Sequence, residues 1–218
     1  MYSMKNETQF PIVKDGYPFI ATGIVLTWIS LSYFGYPVAG FFGLLTVFCV
    51  WFFRDPRRSV PEGNRTIVSP ADGTIVDIAK FYEQQFIEGP ALKISIFLNI
   101  FDVHINRIPI EGEVIGAYYN AGRFFAANVP KASLENEQNK IVLKTPWGKN
   151  VIVIQIAGLI ARRIVCWTKE GVKMKTGERF GLIRFGSRVD LIIPAGTALR
   201  VAIGDKVYGG ETILGELR

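Results

Sequence analysis

The chain contains one histidine, His104, which lies among polar residues that interrupt an apolar stretch. Histidine is the side chain whose charge changes nearest to neutral pH, so only this residue could do histidine acid–base chemistry here. In a serine–histidine–aspartate set, the histidine takes the serine proton while the carboxylate fixes the ring tautomer. Such chemistry therefore requires a serine and a carboxylate that the fold brings to His104.

Two carboxylates are candidates for the partner of His104. Asp102 lies two residues earlier and would share a face with His104 on an extended strand. Asp72 lies in a Pro-Ala-Asp-Gly sequence, which is typical of a turn. The residues alone leave both open, and a structural histidine on a strand is the alternative.

Three serines are candidates for the nucleophile: Ser69, Ser95 and Ser187. The sequence has no Gly-x-Ser-x-Gly elbow, which disfavours a typical α/β-hydrolase. Ser187 differs from the others because it directly follows Gly186 between two arginines. Glycine permits unusual backbone angles and a close approach to its carbonyl group.

The composition limits the classes of protein that the chain could belong to. It has 218 residues, of which 49% are hydrophobic and 20% charged, with a formal net charge of +6. One histidine and two distant cysteines, Cys49 and Cys166, cannot form a zinc site, so we expect no metal. The basic residues do not form a dense patch interleaved with aromatics, so we expect no nucleic-acid partner. A modest positive charge does suit an anionic membrane surface.

The segment 16–53 carries no charged residue. Gly35 and Pro37 favour a break in its middle, so we predict two apolar helices, 17–34 and 37–53, folded as a membrane hairpin. Positive residues flank both sides, which favours a cytoplasmic location for both ends. A helical pair buried in a soluble core is the alternative. The predicted organisation is a cytoplasmic segment 1–15, the hairpin 16–53 and a catalytic domain 54–218.

The remainder of the chain has short apolar runs broken by turn residues, which is typical of a mostly β domain. Segments 69–76 and 203–214 resemble the hairpins of lipoyl-type domains. We therefore predict a mainly β (α+β), barrel-sandwich-like fold with the helical hairpin at its N-terminus. A short helix is predicted at 157–165 and a loop or helical turn at 131–138. The predicted strands are 73–79, 93–98, 112–119, 140–145, 151–156, 189–193, 198–202, 206–207 and 212–217.

Five segments in order give a more specific signal than any single pattern. They are 53–57, 69–73, 101–107, 155–163 and 177–188. Together they resemble the short-form phosphatidylserine decarboxylases, and the resemblance covers nearly the whole chain. It implies a self-processing enzyme that carries a covalent pyruvoyl group and needs no external cofactor.

The resemblance also implies roles for the candidate residues. Ser187 would attack the carbonyl carbon of Gly186, with His104 as the base and Asp72 as the carboxylate that orients it. Cleavage would give a β chain, 1–186, and an α chain, 187–218, whose first residue becomes the pyruvoyl group. That group would bind the substrate amine as a Schiff base.

The implied substrate is a membrane phospholipid, phosphatidylserine, and the implied product is phosphatidylethanolamine. The enzyme would lie at the cell membrane with its catalytic domain on the cytoplasmic side, and the resemblance implies a homodimer. Guanidinium groups suit phosphate oxygens. The candidates for holding the lipid phosphate are Arg162, Arg163, Arg184 and Arg188.

The sequence departs from the longer family members at two places. Phe101 stands where they carry a second histidine, and the cleavage site reads Phe-Gly-Ser-Arg instead of Leu-Gly-Ser-Thr. Three alternatives remain. They are a decarboxylase of the ether lipid archaetidylserine, a membrane-tethered Ser–His–Asp esterase, and a non-enzymatic barrel-sandwich module.

Overall fold

A computed structural model describes residues 11–122, 136–158, 163–184 and 187–218. The chain divides into two compact units, the first ending at Arg57 and the second beginning at Arg58. The first unit contains the predicted helical hairpin, preceded by a single 3₁₀ turn at Lys14–Gly16. Helix α1 spans Tyr17–Tyr33 and helix α2 spans Tyr36–Phe52, within a residue of the predicted bounds.

The reversal between the two helices depends on Gly35, whose φ of 80° is rarely adopted by other residues. A proline at the start of each helix suits the first turn, where its missing N–H is not needed. Most side chains of the hairpin are apolar and exposed within this unit, with Trp28 68% and Leu44 70% exposed. In the part of the chain that the structure describes, no helix is both long and apolar enough to cross a membrane.

The second unit is mostly β, as predicted. The strands that the structure describes are β1 Thr66–Val68, β2 Gly73–Glu83, β3 Gly89–Leu98, β4 Ile105–Arg107, β5 Gly112–Asn120, β6 Gln138–Lys144, β7 Asn150–Ala157, β8 Ile164–Cys166, β9 Lys173–Met174, β10 Arg179–Ile183, β11 Ser187–Pro194, β12 Ala198–Leu199, β13 Lys206–Val207 and β14 Ile213–Glu216. Its main sheet has eight antiparallel strands in the order β13-β2-β3-β11-β7-β6-β5-β9 and curls into a half-barrel. Two three-stranded sheets, β4-β10-β8 and β1-β14-β12, accompany it.

The core lies on one face of the eight-stranded sheet. Along β11, Val189, Leu191 and Ile193 point into the core cluster, while Ile192 belongs to a smaller cluster on the other face. Seven of the eight β11 residues are buried, so this strand is covered on both sides. Fully burying each large aliphatic side chain contributes about 1.5–3 kcal/mol. Packing on both faces therefore holds β11 in place, and with it Ser187, the first residue of the strand.

The structure corrects part of the sequence prediction. The predicted helix at 157–165 is wrong at both ends, because Ala157 ends β7 and Ile164 begins β8; residues 159–162 lie outside the described part. The pairing of Ile164 with Ile183 of β10 determines the extended conformation there. Residues 131–135 of the predicted loop also lie outside the described residues. Strands β1, β4, β8, β9 and β10 were not predicted.

Candidate active site

One end of the eight-stranded sheet carries a row of aligned residues. Ser187 pairs with Leu98 at the end of β3 and with Ala157 at the end of β7. The amide of Ala157 in turn donates to the carbonyl of Glu137. Paired residues of neighbouring strands point to the same face. The row Leu98, Ser187, Ala157 and Glu137 therefore faces the core.

Ser187 is the best placed of the three candidate serines. It is fully buried, and its hydroxyl has no hydrogen-bond partner among the described residues. Ser69 uses its hydroxyl to donate to the carbonyl of Ala71 at 2.6 Å. The buried Ser95 hydroxyl also has no hydrogen-bond partner among the described residues, but Ser95 is the cross-strand neighbour of Asp190 and lies on the face of the sheet opposite Ser187. Since buried hydroxyls nearly always have a partner, the Ser187 hydroxyl is an exception that a reactive role would explain.

His104 belongs to the layer that packs over this row. It immediately precedes β4, and its carbonyl accepts a hydrogen bond from Ile183 of β10 at 3.3 Å. Two hydrogen bonds connect this layer to the eight-stranded sheet. Gln155 of β7 donates to Asn106 of β4 at 2.8 Å, and the amide of Ile164 of β8 donates to Glu137 at 3.2 Å. Gln155 pairs with Val189, one inward-facing row away from Ser187. His104 comes two residues before Asn106, the partner of Gln155, so it lies opposite the row of Ser187. The fold thus brings the predicted serine and histidine to the same site.

A backbone group orients the imidazole ring of His104, which is fully buried. Its Nδ1 lies 2.9 Å from the carbonyl oxygen of Asp102. A carbonyl oxygen can only accept, so the proton of the neutral ring is on Nδ1 and Nε2 is the basic nitrogen. The carboxylate of Asp102 holds the turn itself, accepting from the amide of Asn99 and from Nζ of Lys206, each at 2.9 Å.

Asp72 lies at the same end of the sheet, directly before Gly73 at the start of β2. Its Oδ2 accepts from Arg58 and its Oδ1 from the amide of Gly209, each at 2.7 Å. Burial raises the pKa of Asp72; the charge of Arg58 and the bond from Gly209 oppose this rise, and nearby Asp102 adds to it. Asp72, the predicted carboxylate, interacts with Asp102 and so lies close to the turn that holds His104.

The four candidate phosphate ligands have different settings. Arg163 directly precedes β8 and Arg184 directly follows β10, and the amide of Arg184 donates to the carbonyl of Arg163 at 3.2 Å. Arg188 points to the face opposite Ser187, where its guanidinium is buried and 2.9 Å from the Asp190 carboxylate. That geometry argues against a phosphate role for Arg188. Arg162 lies outside the described residues, as does Gly186.

Sequence reasoning missed a buried polar network below the site. Asn139 of β6 donates to Gln155 at 2.8 Å, and Gln155 donates to Asn106 at 2.8 Å. All three side chains are buried. Their signal in the sequence is a polar residue at an inward-facing position of an apolar strand, as at Gln155. The Nδ2 atom of Asn106 is buried without a hydrogen-bond partner among the described residues, so this network is only partly satisfied.

Comparisons with known proteins identify the family. The family model described as phosphatidylserine decarboxylase matches residues 45–215. A phosphatidylserine decarboxylase proenzyme of Desulfotalea psychrophila is 49% identical over 211 residues, covering 97% of this chain and 99% of the relative. A proenzyme of the same name from Aromatoleum aromaticum is 46% identical over 215 residues, covering 98% and 100%.

These matches define an enzyme of the carboxy-lyase class. Since they cover almost the full length of both this chain and its relatives, the chain belongs to the phosphatidylserine decarboxylase family. The resemblance carried by the five sequence segments is confirmed.

Proposed function

We propose that this chain is a proenzyme that cleaves itself before Ser187 and then decarboxylates phosphatidylserine to phosphatidylethanolamine. The observation that carries the proposal is the buried Ser187 hydroxyl, unpartnered among the described residues, on the layer opposite His104. The relatives named as proenzymes of this activity support the same conclusion.

Self-cleavage converts a peptide bond into two chain ends. Ser187 Oγ attacks the carbonyl carbon of Gly186; the C–N bond breaks, and an ester replaces the amide. Loss of the Ser187 α-proton and cleavage of the Cβ–Oγ bond then release the carboxylate of Gly186. Water hydrolyses the remaining dehydroalanine to a pyruvoyl group, and ammonia leaves. The products are chains 1–186 and 187–218.

His104 and Asp72 have defined tasks in this sequence. The Nε2 atom of His104 takes the hydroxyl proton, since Nδ1 is held by the Asp102 carbonyl. Asp72 stabilises the imidazolium by its charge, as the acid of such a set does. The environment of Ser187 fits a pyruvoyl precursor, because its hydroxyl is not committed to a stabilising hydrogen bond.

The decarboxylation uses the same buried end of the sheet. The pyruvoyl group supplies an electrophilic carbonyl that withdraws electrons from the bond to the departing CO₂. The buried apolar side chains on either side of Ser187, Leu98 and Ala157, exclude water from that bond. Arg163 and Arg184, whose main chains are hydrogen-bonded to each other beside β8 and β10, hold the lipid phosphate.

We further propose that the hairpin is embedded in the cytoplasmic side of the cell membrane. Its support is the exposure of large apolar side chains around both helices, such as Trp28, Leu44 and Val47. Exposed apolar patches of this kind mark membrane or protein contacts. The absence of charged residues over 16–53 and the arginines that follow favour the membrane.

Intact-mass spectrometry of the purified protein tests the proposal. We expect two chains, 1–186 and 187–218, the smaller resistant to N-terminal sequencing because it begins with a pyruvoyl group. Ser187→Ala should remain one chain and be inactive. A single uncleaved chain in active protein would contradict self-processing and favour a serine esterase.

The lipid substrate is tested separately with the cleaved enzyme. We expect release of CO₂ from phosphatidylserine in detergent micelles. The control substrate is archaetidylserine, which has the same headgroup on an ether-linked backbone. Turnover of the ether lipid alone would overturn the proposed substrate and leave the self-cleavage proposal intact.

A further inference from the structure

Glu137 is a buried carboxylate that the mechanism above does not use. It directly precedes β6 and is only 4% exposed. Its carbonyl accepts from Ala157, which pairs with Ser187, so Glu137 lies two strands from Ser187 in the same row. Two inter-strand steps of about 4.8 Å separate their Cα atoms by about 10 Å.

The two oxygens of this carboxylate have different surroundings. Oε1 accepts from the hydroxyl of Tyr119 at 2.9 Å and from the amide of Ile164 at 3.2 Å. Oε2 is buried and has no hydrogen-bond partner among the described residues. A buried carboxylate oxygen without a donor is costly, because it has lost its water and gained no partner. A donor that arrives with a ligand would remove that cost.

The row residue between Glu137 and Ser187 has a small side chain. Ala157 stands between them and is fully buried. On the opposite layer, Ile164 and Ile183 are paired neighbours, and the Ile183 amide bonds to the His104 carbonyl. The Glu137 carboxylate therefore lies between the same two layers as the serine and the histidine. It is on the β6 side of Ser187, whereas Asp72 is on the β2 side.

We propose that Glu137 Oε2 is the binding site for the ammonium group of the substrate, and that it accepts a proton from it. An alkylammonium group has only donors, which matches an oxygen that only accepts. The transfer converts R–NH₃⁺ and the carboxylate into R–NH₂ and the neutral acid, leaving the nitrogen lone pair available to attack a carbonyl at position 187. This inference rests on the proposed function and assigns the amine-recognition part of that site.

Binding of soluble headgroup amines to the cleaved enzyme tests this site. The probes are glycerophosphoethanolamine, which carries an ammonium group and no carboxylate to lose, and glycerol 3-phosphate, which lacks the amine. We expect isothermal titration to show tighter binding of the amine probe to the unsubstituted protein. Glu137→Gln keeps the acceptor for Ile164 and Tyr119 but removes the charge. This substitution should lower the affinity for glycerophosphoethanolamine at least tenfold and change the affinity for glycerol 3-phosphate by less than twofold.

The matched control is Glu113→Gln, the same substitution at the opposite end of the sheet, where Glu113 of β5 pairs with Lys144. It should change neither affinity. Equal binding of both probes to the unsubstituted protein, or unchanged amine binding in Glu137→Gln, would overturn the inference.

Self-cleavage, followed by intact mass, separates this inference from the proposed function. Glu137→Gln should cleave normally, since no substrate amine takes part in that reaction. If Glu137→Gln failed to cleave or melted at a much lower temperature than Glu113→Gln, the carboxylate would be structural and the inference wrong. Failure of the unsubstituted protein to cleave would instead contradict the proposed function.

Discussion

At the scale of single residues, the Nδ1 atom of His104 lies within hydrogen-bond distance of a backbone carbonyl, that of Asp102. The carbonyl of Asp102 fixes Nδ1, while the Asp102 side chain supports the turn through Asn99 and Lys206. The two candidate acids therefore separate by task. In the proposed mechanism, Asp102 positions the ring through its main chain, and Asp72 supplies the negative charge.

This separation predicts different effects of neutralising each acid. Asp72→Asn should slow self-cleavage by about two to four orders of magnitude, the scale seen when the carboxylate of a serine–histidine–aspartate set is neutralised. Asp102→Asn keeps the carbonyl and an acceptor for the turn, so cleavage should slow less than about tenfold on the same comparison. The measurement is the rate at which newly synthesised precursor converts to two chains. Comparable losses in both variants would contradict the assignment.

Arg58 is a second residue whose importance the structure reveals. Its guanidinium is largely buried and bonds to Asp72 at 2.7 Å and to Glu211 at 2.9 Å. The positive charge opposes the effect of burial on the pKa of Asp72. Arg58 therefore opposes the rise in the pKa of Asp72 that burial causes.

Arg58→Gln should move the acidic limb of the pH–rate profile of self-cleavage to higher pH. Without the guanidinium the pKa of Asp72 rises further, so less of it is charged at a given pH. Removing one partner of a buried ion pair should also lower the free energy of unfolding by about 3–5 kcal/mol. Precursor conversion measured across pH tests the first effect and chemical denaturation the second. The control is Arg57→Gln, which changes an exposed neighbour. An acidic limb at the same pH in Arg58→Gln and in the unsubstituted protein would contradict the proposed effect of Arg58 on Asp72.

At the scale of elements, the site depends on how closely β2 approaches β3. Thr74 pairs with Phe97, so the strand begins beside the ladder that positions Leu98 and Ser187. Gly73 has a φ of 156°, and a Cβ there would collide with the carbonyl oxygen of Phe97. Only glycine allows Asp72 to be carried this close to the row.

Gly73→Ala should therefore separate the two strands at the site. We expect a loss of about 1–3 kcal/mol in the free energy of unfolding from backbone strain, and slower self-cleavage. Gly89→Ala is the matched control, since Gly89 begins β3 at the far end of the same pair and its Cβ would meet only an ordinary contact at 3.7 Å. Denaturation and precursor conversion are measured on both. Equal behaviour of the two variants would show that the close approach is unimportant.

At the scale of the whole molecule, the chain combines an apolar helical hairpin with a β enzyme domain. The hairpin exposes large side chains on both helices, which a lipid environment would cover at low cost. Its indole groups, Trp28 and Trp51, are 68% and 53% exposed. They provide a direct measure of the environment of the hairpin.

We expect the tryptophan fluorescence of the full chain to be quenched by vesicles that contain brominated phospholipid. Trp28→Phe should remove a large part of the quenching, because Trp28 is the more exposed of the two hairpin indoles. Trp147→Phe, outside the hairpin, is the control and should preserve the quenching. Emission that is the same with brominated and ordinary lipid would contradict membrane embedding.

The hairpin and the longer strands could be predicted from sequence because each has a local pattern. The helices follow from an uncharged run broken at Gly35 and Pro37, and the long strands from apolar segments between turn residues. The short strands β4, β8 and β10 lack such a pattern. Strand β4 is buried at all three positions, and β8 carries too few residues to show alternation. Their conformation comes from pairing with distant partners.

By itself, the sequence determined which residues could do the chemistry: one histidine, a serine after a glycine and an aspartate in a turn. The tertiary structure decided how they are held. The Asp102 carbonyl on His104, Arg58 on Asp72 and the place of Glu137 in the row of Ser187 all depend on contacts between distant segments. Strand register and layer packing set those contacts, and neither is encoded by the spacing of residues along the chain.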